Sequence, residues 1–321
     1  SCNYLHGAFP LIYDIGEHRK FQKIVNLVMN FQRRKMEKIL LKEQATDVIS
    51  FHFALGPVLH NAVRKLNKTN TKKINITQIV TDPFTVPKAW FYEKDLNYFV
   101  YSQQAKEAGI ECGINPSKIT IIPFLMNTKY RTMYTPEQII QKKKELGYDE
   151  TKKLLLLVGG GEGLPGATDI INQCILHKSK FEIAIICGRD VAKKETLELL
   201  SKAYPRLGLH VYGFINYLDE LIKICDCAVI KAGPATLFEI LSCKKPVIIC
   251  KYIHNQELGN MRYAIDKKVG YFIQKPNLIY KKVNQIMNQS DFDKKMKTNF
   301  DNLNIDTDCS KVAKILLNKS I

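Results

Sequence analysis

Short runs of apolar residues recur along the chain, and a segment with helical periodicity follows most of them. The clearest run is Leu154–Val158, and runs at 182–187 and Cys227–Lys231 repeat the pattern. Strands that are apolar on both faces belong to parallel sheets, whose crossover helices cover both sides. The alternation therefore predicts an α/β protein.

The N-terminal half shows the same alternation, with apolar runs at 47–52, 74–80 and 97–101. A chain of 321 residues exceeds the usual size of one hydrophobic core. We predict two Rossmann-like, doubly wound domains that face each other across a cleft. The polar, charged segment 128–150 interrupts the rhythm, so we predict an N-terminal domain at 1–127, a connector at 128–150 and a C-terminal domain at 151–321.

The chain is strongly basic, with 48 Lys and Arg against 31 Asp and Glu and a formal net charge of +17. Such a surface attracts nucleic acid, anionic lipid or phosphorylated substrates, although solubility or a biased composition gives the same balance. A nucleic-acid binder needs a basic patch interleaved with aromatic residues or a known binding module. The sequence contains neither, and we predict no nucleic-acid partner.

The nine cysteines include no CxxC pair, and most lie in apolar runs. This pattern predicts reduced, buried thiols rather than disulfides or a zinc site. Asp306 and Asp308 spell a DxD, a pattern that can bind a metal, but they precede the last helix and are better suited to capping it. We predict no metal and no resident cofactor. No apolar run approaches the roughly 20 residues of a transmembrane helix.

The segment 21–42 combines helical periodicity with many basic residues. One interpretation is a surface helix whose apolar stripe packs on a sheet. The other is a helix that docks on an anionic membrane. On the second interpretation the membrane-facing residues are Lys23, Arg33, Arg34 and Lys38.

A glycine-rich turn at 159–163, hereafter the glycine loop, follows the strand Leu154–Val158. Glycines allow a phosphate to approach the backbone, and a following helix offers free N–H groups. The loop is not a Walker motif, and a tight strand-to-helix turn is the alternative. The candidate phosphate-binding residues here are Gly160, Gly161, Glu162 and Gly163.

A second strand-to-helix turn follows Lys231 and contains Gly233, Pro234 and Thr236. Two helix N-termini at one sheet edge can hold a diphosphate. We interpret Glu239 as lying in the first helical turn, where it either binds two sugar hydroxyls or caps the helix.

A third polar group follows the strand at 246–250 and contains Gln256, Glu257 and Asn260. Amide and carboxylate side chains together suit a sugar with several hydroxyls. A solvated loop and helix start is the alternative.

These motifs, in this order, resemble the monogalactosyldiacylglycerol synthases and the bacterial diacylglycerol glucosyltransferases, with the lipid II-forming N-acetylglucosaminyltransferase as a more distant relative. Thr81 and Asp82, followed by Trp90, match the N-domain motif of that family. The resemblance covers about residues 47–270, and its specificity comes from the combination of motifs.

The resemblance implies a GT-B fold and an inverting transfer of a hexose from UDP-galactose or UDP-glucose to diacylglycerol or a similar lipid. It also implies roles. The backbone near Gly213 and Phe214 holds the uracil, Glu239 binds the ribose, the two glycine turns face the diphosphate, and Gln256 and Glu257 reach the transferred sugar. A peripheral position on the cytoplasmic face of a membrane follows, in a bacterium or at a plastid envelope.

The sequence departs from the family pattern on the acceptor side. The family's N-terminal glycine-rich turn ending in His has no match, and we expect the N-terminal domain to lack its first strand and loop. Pro87 replaces a usual His and Leu125 a usual Arg. Asp82 remains as a candidate base or acceptor-orienting acid.

Two other functions are alternatives to glycosyl transfer. A truncated or degenerate, non-catalytic protein that binds nucleotide sugars or membranes is supported by these departures. A nicotinamide- or flavin-dependent oxidoreductase needs a complete dinucleotide fingerprint, and Leu164 stands where its last glycine belongs.

Overall fold

The computed structural model of the protein describes residues 31–69, 73–303 and 305–318. These residues form two compact α/β units. The first unit contains 31–125, 253–259 and 306–318, and the second unit contains 126–252 and 260–305. The predicted division into 1–127, 128–150 and 151–321 did not anticipate that two segments of the C-terminal half join the first unit.

The first unit is built on a sheet of four parallel strands in the order β1-β2-β3-β4. The strands are β1 (Asp47–Ser50), β2 (Asn75–Ile79), β3 (Asn97–Val100) and β4 (Ile119–Ile121). The helices are α1 (Arg33–Lys42), α2 (Gly56–Thr69) and α3 (Gln103–Glu111), with α12 (Cys309–Asn318) contributed by the end of the chain.

Alternate residues of β3 face two separate cores in the first unit. Tyr98 and Val100 pack into a cluster that includes Phe91. Phe99 points to the other face, where it packs with Val312 of α12. The chain returns to this sheet at Asp306, whose carbonyl accepts a hydrogen bond of 2.7 Å from the Phe124 amide. The sheet is thus covered on both faces, as apolar parallel strands require.

The basic helix predicted at 21–42 is described only from residue 31 onward, and α1 begins at Arg33. Leu40 is buried and packs with Ala62 and Val63 of α2. The packing of Leu40 agrees with the interpretation of a surface helix, and docking of α1 on a membrane stays a prediction. Lys23 lies outside the described residues.

The second unit contains six parallel strands in the order β10-β9-β8-β5-β6-β7. The strands are β5 (Leu154–Val158), β6 (Glu182–Ile186), β7 (Leu209–Tyr212), β8 (Cys227–Lys231), β9 (Val247–Lys251) and β10 (Gly270–Phe272). The helices are α4 (Pro136–Glu145), α5 (Ala167–Leu176), α6 (Val191–Ala203), α7 (Leu218–Ile224), α8 (Pro234–Ser242), α9 (His254–Asp266), α10 (Pro276–Asn288) and α11 (Ser290–Asp301), and the part of α9 up to Gly259 belongs to the first unit.

The strand order of the second unit reverses beside β5. The chain runs from β5 through β6 to β7 in one direction, and β8 then pairs with the opposite side of β5. Every residue of β5 and β6 is buried. This is the doubly wound sheet predicted from the apolar runs, and such a reversal opens a crevice at the carboxyl ends of the two central strands.

The segment read as a connector belongs to the second unit. Its helix α4 begins at Pro136 and is capped by Thr135, whose hydroxyl accepts a hydrogen bond from the Gln138 amide while the Gln138 side chain accepts one from the Thr135 amide. The capping box explains why a helix starts there. The described helices include none that is both long enough and apolar enough to span a bilayer.

Candidate functional site

The glycine loop leaves the carboxyl end of β5 at the reversal of the sheet. Gly160 and Gly163 have positive φ angles of 82° and 70°, which L side chains rarely adopt. The Gly163 amide closes the turn on the Gly160 carbonyl at 3.0 Å. Glu162 is exposed at the tip of the loop.

The loop after β6 packs against the glycine loop and restricts its conformation. A Cβ added to Gly188 would lie 2.2 Å from the Gly161 carbonyl oxygen. The Arg189 amide donates to that same oxygen at 2.8 Å. Sequence reasoning missed Gly188 and Arg189, although their position directly after an apolar strand was the available signal.

The turn after β8 lies beside the glycine loop. A Cβ on Gly160 would lie 3.7 Å from Cε of Lys231, so the two turns meet at the reversal between β5 and β8. Gly233 is the N-cap of α8, and Pro234 occupies its first turn. Thr236 is half-buried two residues further on. The structure thus brings together the two helix-start turns proposed to hold a diphosphate.

Asn260 supports this turn from below. Its side chain is fully buried, and Nδ2 donates to the Ala232 carbonyl at 2.9 Å. The Ala232 amide in turn donates to the Lys251 carbonyl at 2.8 Å. The observed contact of Asn260 is therefore with the protein backbone, and its role as a donor contact stays a prediction.

Glu239 lies in the second turn of α8, not in the first turn as the sequence reading had it. A carboxylate in that position is too far along the helix to cap the free N–H groups of the N-terminus. It accepts a hydrogen bond from the Tyr130 hydroxyl. Burial raises the pKa of Glu239, and Lys129 together with this hydrogen bond opposes the rise.

The predicted uracil-binding segment follows β7. Phe214 is 73% exposed, and the Arg189 guanidinium lies 6.0 Å from the centre of its ring. Gly213 lies beside the aliphatic part of Lys194. An exposed aromatic ring under a cation offers a flat surface to a planar ligand.

Gln256 and Glu257 lie in the first unit, at the start of α9. Glu257 is 3% exposed, and its Oε2 accepts a hydrogen bond of 2.9 Å from the Ile253 amide. Glu257 therefore caps the start of α9. This agrees with the alternative of a helix start, except that the residue is buried and not solvated. Its contact with the transferred sugar stays a prediction.

Asp82 contacts Gln256, although the two residues are 174 positions apart in the sequence. Gln256 Nε2 donates to Oδ1 of Asp82 at 2.8 Å. Trp90 Nε1 donates to Oδ2 at 2.7 Å. The carboxyl group is 1% exposed, so both oxygens are engaged and shielded from solvent.

The pKa of Asp82 is raised to about 6: burial is the largest cause and the nearby Glu257 carboxylate adds to it, while the hydrogen bonds from Gln256 and Trp90 partly oppose the rise. Desolvation disfavours the charged form of an acid, whereas donors to the carboxylate favour it. A pKa near 6 is suited to a group that exchanges a proton near neutral pH.

A third contact fixes the same segment. The Gly259 amide donates to Oγ1 of Thr85 at 2.9 Å. A Cβ on Gly259 would lie 2.5 Å from Cβ of Phe84, so only glycine allows this approach. The loop after β2 and the start of α9 therefore form one constellation within the first unit.

The family departures on the acceptor side have structural consequences. Pro87 precedes a short 3-10 helix, Lys88–Phe91, that carries Trp90. Leu125 packs beside the core that contains Val312, and its carbonyl accepts the Tyr101 hydroxyl. An apolar side chain at 125 thus serves packing, which an arginine there does not.

The DxD residues cap a helix, as predicted. Asp308 Oδ1 accepts from the Ser310 amide at 3.0 Å, and Asp306 Oδ2 pairs with Lys311 at 2.7 Å. Among the residues that the structure describes, no group of three or more His, Cys, Asp or Glu could hold a metal ion.

Two family profiles match the chain. The profile for monogalactosyldiacylglycerol (MGDG) synthase matches residues 3–123. The profile for glycosyl transferases group 1 matches residues 136–302, which is more than half of the chain. The chain belongs to the glycosyl transferases group 1 family.

Curated relatives agree with this assignment. The chain is 29% identical over 263 residues to a chloroplastic monogalactosyldiacylglycerol synthase from Spinacia oleracea, covering 79% of this chain and 49% of the relative. It is 27% identical over 266 residues to a processive diacylglycerol beta-glucosyltransferase from Bacillus cereus, covering 83% and 66%. The chain thus spans about half the length of the plant relatives that it matches.

Solved structures show the fold. A glycosyltransferase from Rickettsia africae superposes with a TM-score of 0.61 at 14% identity, over 91% of this chain and 81% of that one. MurG from Acinetobacter baumannii gives 0.57 at 14% identity, over 89% and 78%. The predicted GT-B class, with its two parallel-sheet units, is confirmed.

Two alanine substitutions in the glycine loop should have opposite effects. A Cβ on Gly159 would lie 2.2 Å from the Gly163 carbonyl oxygen, whereas a Cβ on Gly161 meets no atom within 4 Å. We expect Gly159→Ala to lower the free energy of unfolding by about 2 kcal/mol, because the backbone must shift. We expect Gly161→Ala to fold normally, because its methyl group meets open space, but to weaken UDP binding, because the glycine loop is proposed to face the diphosphate. Chemical denaturation and calorimetry measure the two effects, and equal stability of the two variants contradicts the loop geometry.

Asp82→Asn should remove a pH-dependent component of stability. The folded pKa of about 6 exceeds the ordinary 3.8, so Asp82 stabilises the fold at low pH and this contribution is lost as pH rises through about 6. Between pH 4.5 and pH 7 we expect the unfolding free energy of the variant, relative to wild type, to increase by about 2 kcal/mol. Trp90 is the single tryptophan, and its fluorescence reports both unfolding and the titration. A difference that is constant with pH contradicts the assignment.

Proposed function

We propose that the protein is an inverting hexosyltransferase that moves a sugar from UDP-galactose or UDP-glucose to diacylglycerol or a similar membrane lipid. The observation that carries the proposal is the meeting of the glycine loop and the Gly233–Pro234 turn where the strand order reverses. That is where doubly wound sheets bind nucleotides. The named activities of the spinach and Bacillus relatives support the reaction class.

The donor site is assigned within the second unit. The backbone N–H groups of the glycine loop and the start of α8 face the diphosphate, because both turns present free donors to an anion. Glu239 accepts hydrogen bonds from the ribose hydroxyls in bidentate fashion. Anabaena HepE, whose fold is similar at a TM-score of 0.59 and 12% identity, was solved in complex with UDP and glucose, which supports a UDP-sugar.

The departure of the diphosphate is assisted by the same groups. Negative charge accumulates on the leaving phosphate as the sugar bond breaks, and fixed N–H dipoles stabilise that charge. Lys231 and Arg189 border the two turns and add positive charge. The proposal therefore requires no resident metal or cofactor.

The acceptor side is assigned to the constellation of Asp82 and Gln256 in the first unit. As a base, Asp82 takes the proton of the acceptor hydroxyl after releasing one of its two hydrogen bonds. As an orienting acid, Asp82 fixes the Gln256 amide group through the hydrogen bond from Nε2. The direction of the amide oxygen Oε1 is then fixed as well. Gln256 and Glu257 retain their proposed contact with the transferred sugar.

The membrane-facing surface is assigned to α1. Arg34 and Lys38 are exposed there beside the exposed apolar side chains of Ile39 and Leu41. Arg33 contributes less, because its guanidinium pairs with Glu37 at 3.0 Å. A basic and partly apolar surface suits peripheral attachment to anionic lipid on the cytoplasmic face of a bacterial membrane or at a plastid envelope.

A non-catalytic role is the alternative function. It is favoured by Leu125, a half-buried residue that packs against a core where the family resemblance leads us to expect an arginine on the acceptor side. Such a protein would bind nucleotide sugars without transferring the sugar. A transfer assay with labelled donors separates the two functions.

A transfer assay with labelled donors tests the enzyme. Liposomes of diacylglycerol and anionic lipid receive UDP-galactose or UDP-glucose, with wild type beside Glu239→Gln and the exposed control Glu150→Gln. We expect wild type to transfer label from one of the two donors into lipid. Glu239→Gln should lower kcat/KM at least about tenfold, because hydrogen bonds to a charged carboxylate are lost. Glu150→Gln should leave kcat/KM unchanged. UDP binding without transfer supports the alternative, and neither binding nor transfer rejects both.

A liposome sedimentation assay tests the membrane surface. We expect the double substitution Arg34→Gln, Lys38→Gln to weaken binding to anionic vesicles about 30-fold at low salt, from about 1 kcal/mol for each basic residue. The matched control is Lys180→Gln, Lys202→Gln, which removes two exposed charges from the second unit. Equal loss in both double variants indicates a general charge effect and contradicts a specific role of α1.

A further inference from the structure

The segment 127–130, at the start of the stretch read as a connector, packs against the proposed donor helix. Asn127 Oδ1 accepts from the Lys129 amide at 3.1 Å and starts a 3-10 turn, Thr128–Tyr130. Tyr130 is 5% exposed. Its carbonyl accepts from the Cys243 thiol, at the end of α8, at 3.7 Å. The turn is therefore held against α8 by both its backbone and its side chain.

Tyr130 directs its hydroxyl to the carboxylate of Glu239. A carboxylate on a helix rotates about its terminal bond unless a partner fixes it, because terminal sp²–sp³ torsions are broad. A single donor on one side leaves the remaining acceptor positions of the two oxygens for ligand hydroxyls. The aromatic ring is rigid and buried, so it holds that donor in one place.

Lys129 connects the same region to the loop after β7. Its Nζ lies 2.8 Å from Oδ1 of Asp219, near the start of α7, and donates to the Asn216 carbonyl at 3.1 Å. Asn216 lies two residues after Phe214. Lys129 also acts on Glu239 as a nearby positive charge. One side chain thus joins the proposed uracil loop to the surroundings of the proposed ribose carboxylate.

We propose that Tyr130 and Lys129 are positioning residues of the nucleotide site. Tyr130 sets the orientation of the Glu239 carboxylate, and Lys129 holds the loop at 213–217 in place relative to it, so that the nucleoside part of a nucleoside diphosphate sugar meets both at once. The inference rests on the proposed function for the identity of the ligand. The contacts that carry it all lie inside the second unit.

The charges around Glu239 support this assignment. Burial raises the pKa of Glu239, and the Asp219 carboxylate raises it further. Lys129 and the Tyr130 hydroxyl lower the pKa of Glu239 and so favour the ionised carboxylate. Only the ionised form accepts hydrogen bonds with both oxygens. UDP binding should therefore weaken as pH falls through the pKa of Glu239.

Calorimetric titration with UDP between pH 5 and pH 8 tests the inference. We expect Tyr130→Phe to weaken UDP binding about tenfold at pH 7 and to move the midpoint of its pH dependence upward, because a hydrogen bond to the ionised form is lost. Lys129→Met should move the midpoint in the same direction. The controls are Tyr134→Phe and Lys144→Met, which alter the same stretch of chain without contacting Glu239.

A double-mutant cycle separates positioning from a general loss of structure. In a Glu239→Gln background the added Tyr130→Phe should have no further effect on affinity or on the pH midpoint, because both changes act through one carboxylate. Thermal unfolding of each variant checks that the second unit is intact.

The outcomes are distinct. Unchanged pH midpoints in Tyr130→Phe and Lys129→Met, with wild type binding UDP, overturn this inference and leave the proposed function standing. A uniform loss of affinity at all pH values, in step with a lowered melting temperature, also overturns it. Absence of UDP binding by wild type rejects the nucleotide site itself.

Discussion

The reversal of strand order beside β5 is the constraint on which the second unit depends. The chain continues from β5 toward one edge of the sheet and from β8 toward the other edge. The loops after β5 and β8 are therefore not covered by a crossover helix. The loops can then approach closely only if side chains are absent. Gly160, which has a positive φ, lies beside Lys231 of β8 in this way, and Gly188 in the loop after β6 likewise approaches the Gly161 carbonyl. A turn of larger residues would fill the same space.

Two buried carboxylates are held by donors in similar ways. Asp82 accepts from Gln256 and Trp90 in the first unit, and Glu239 accepts from Tyr130 in the second. Transfer of a lone carboxylate from water costs several kcal/mol, and hydrogen bonds to the charged form offset part of this penalty. The remainder appears as a raised pKa in both cases. Hydrogen bonds of this kind restrict the arrangement of the side chains around each carboxylate.

The sequence predicted the strands and glycine turns of the second unit well, because unbroken apolar runs such as β5 leave few alternatives. It misplaced Glu239 by one helical turn, since helix starts are uncertain by a few residues and Pro234 sets this one. It did not reveal the pairing of Asp82 with Gln256, or of Tyr130 with Glu239. Both are contacts between distant segments, and a single sequence carries no periodicity that reports them. The glycine turn after β6 was overlooked although its pattern was visible.

The C-terminal helix α12 covers one face of the sheet that begins near the opposite end of the chain. During synthesis on a ribosome, the strands of the first unit therefore emerge more than 180 residues before the helix that shields Ile79 and Phe99. Contacts of such high sequence separation form late, whereas most of the second unit is drawn from a nearly continuous stretch and can close on itself earlier. The nascent first sheet thus exposes the apolar face of Ile79 and Phe99 until α12 has been synthesised and packs on it.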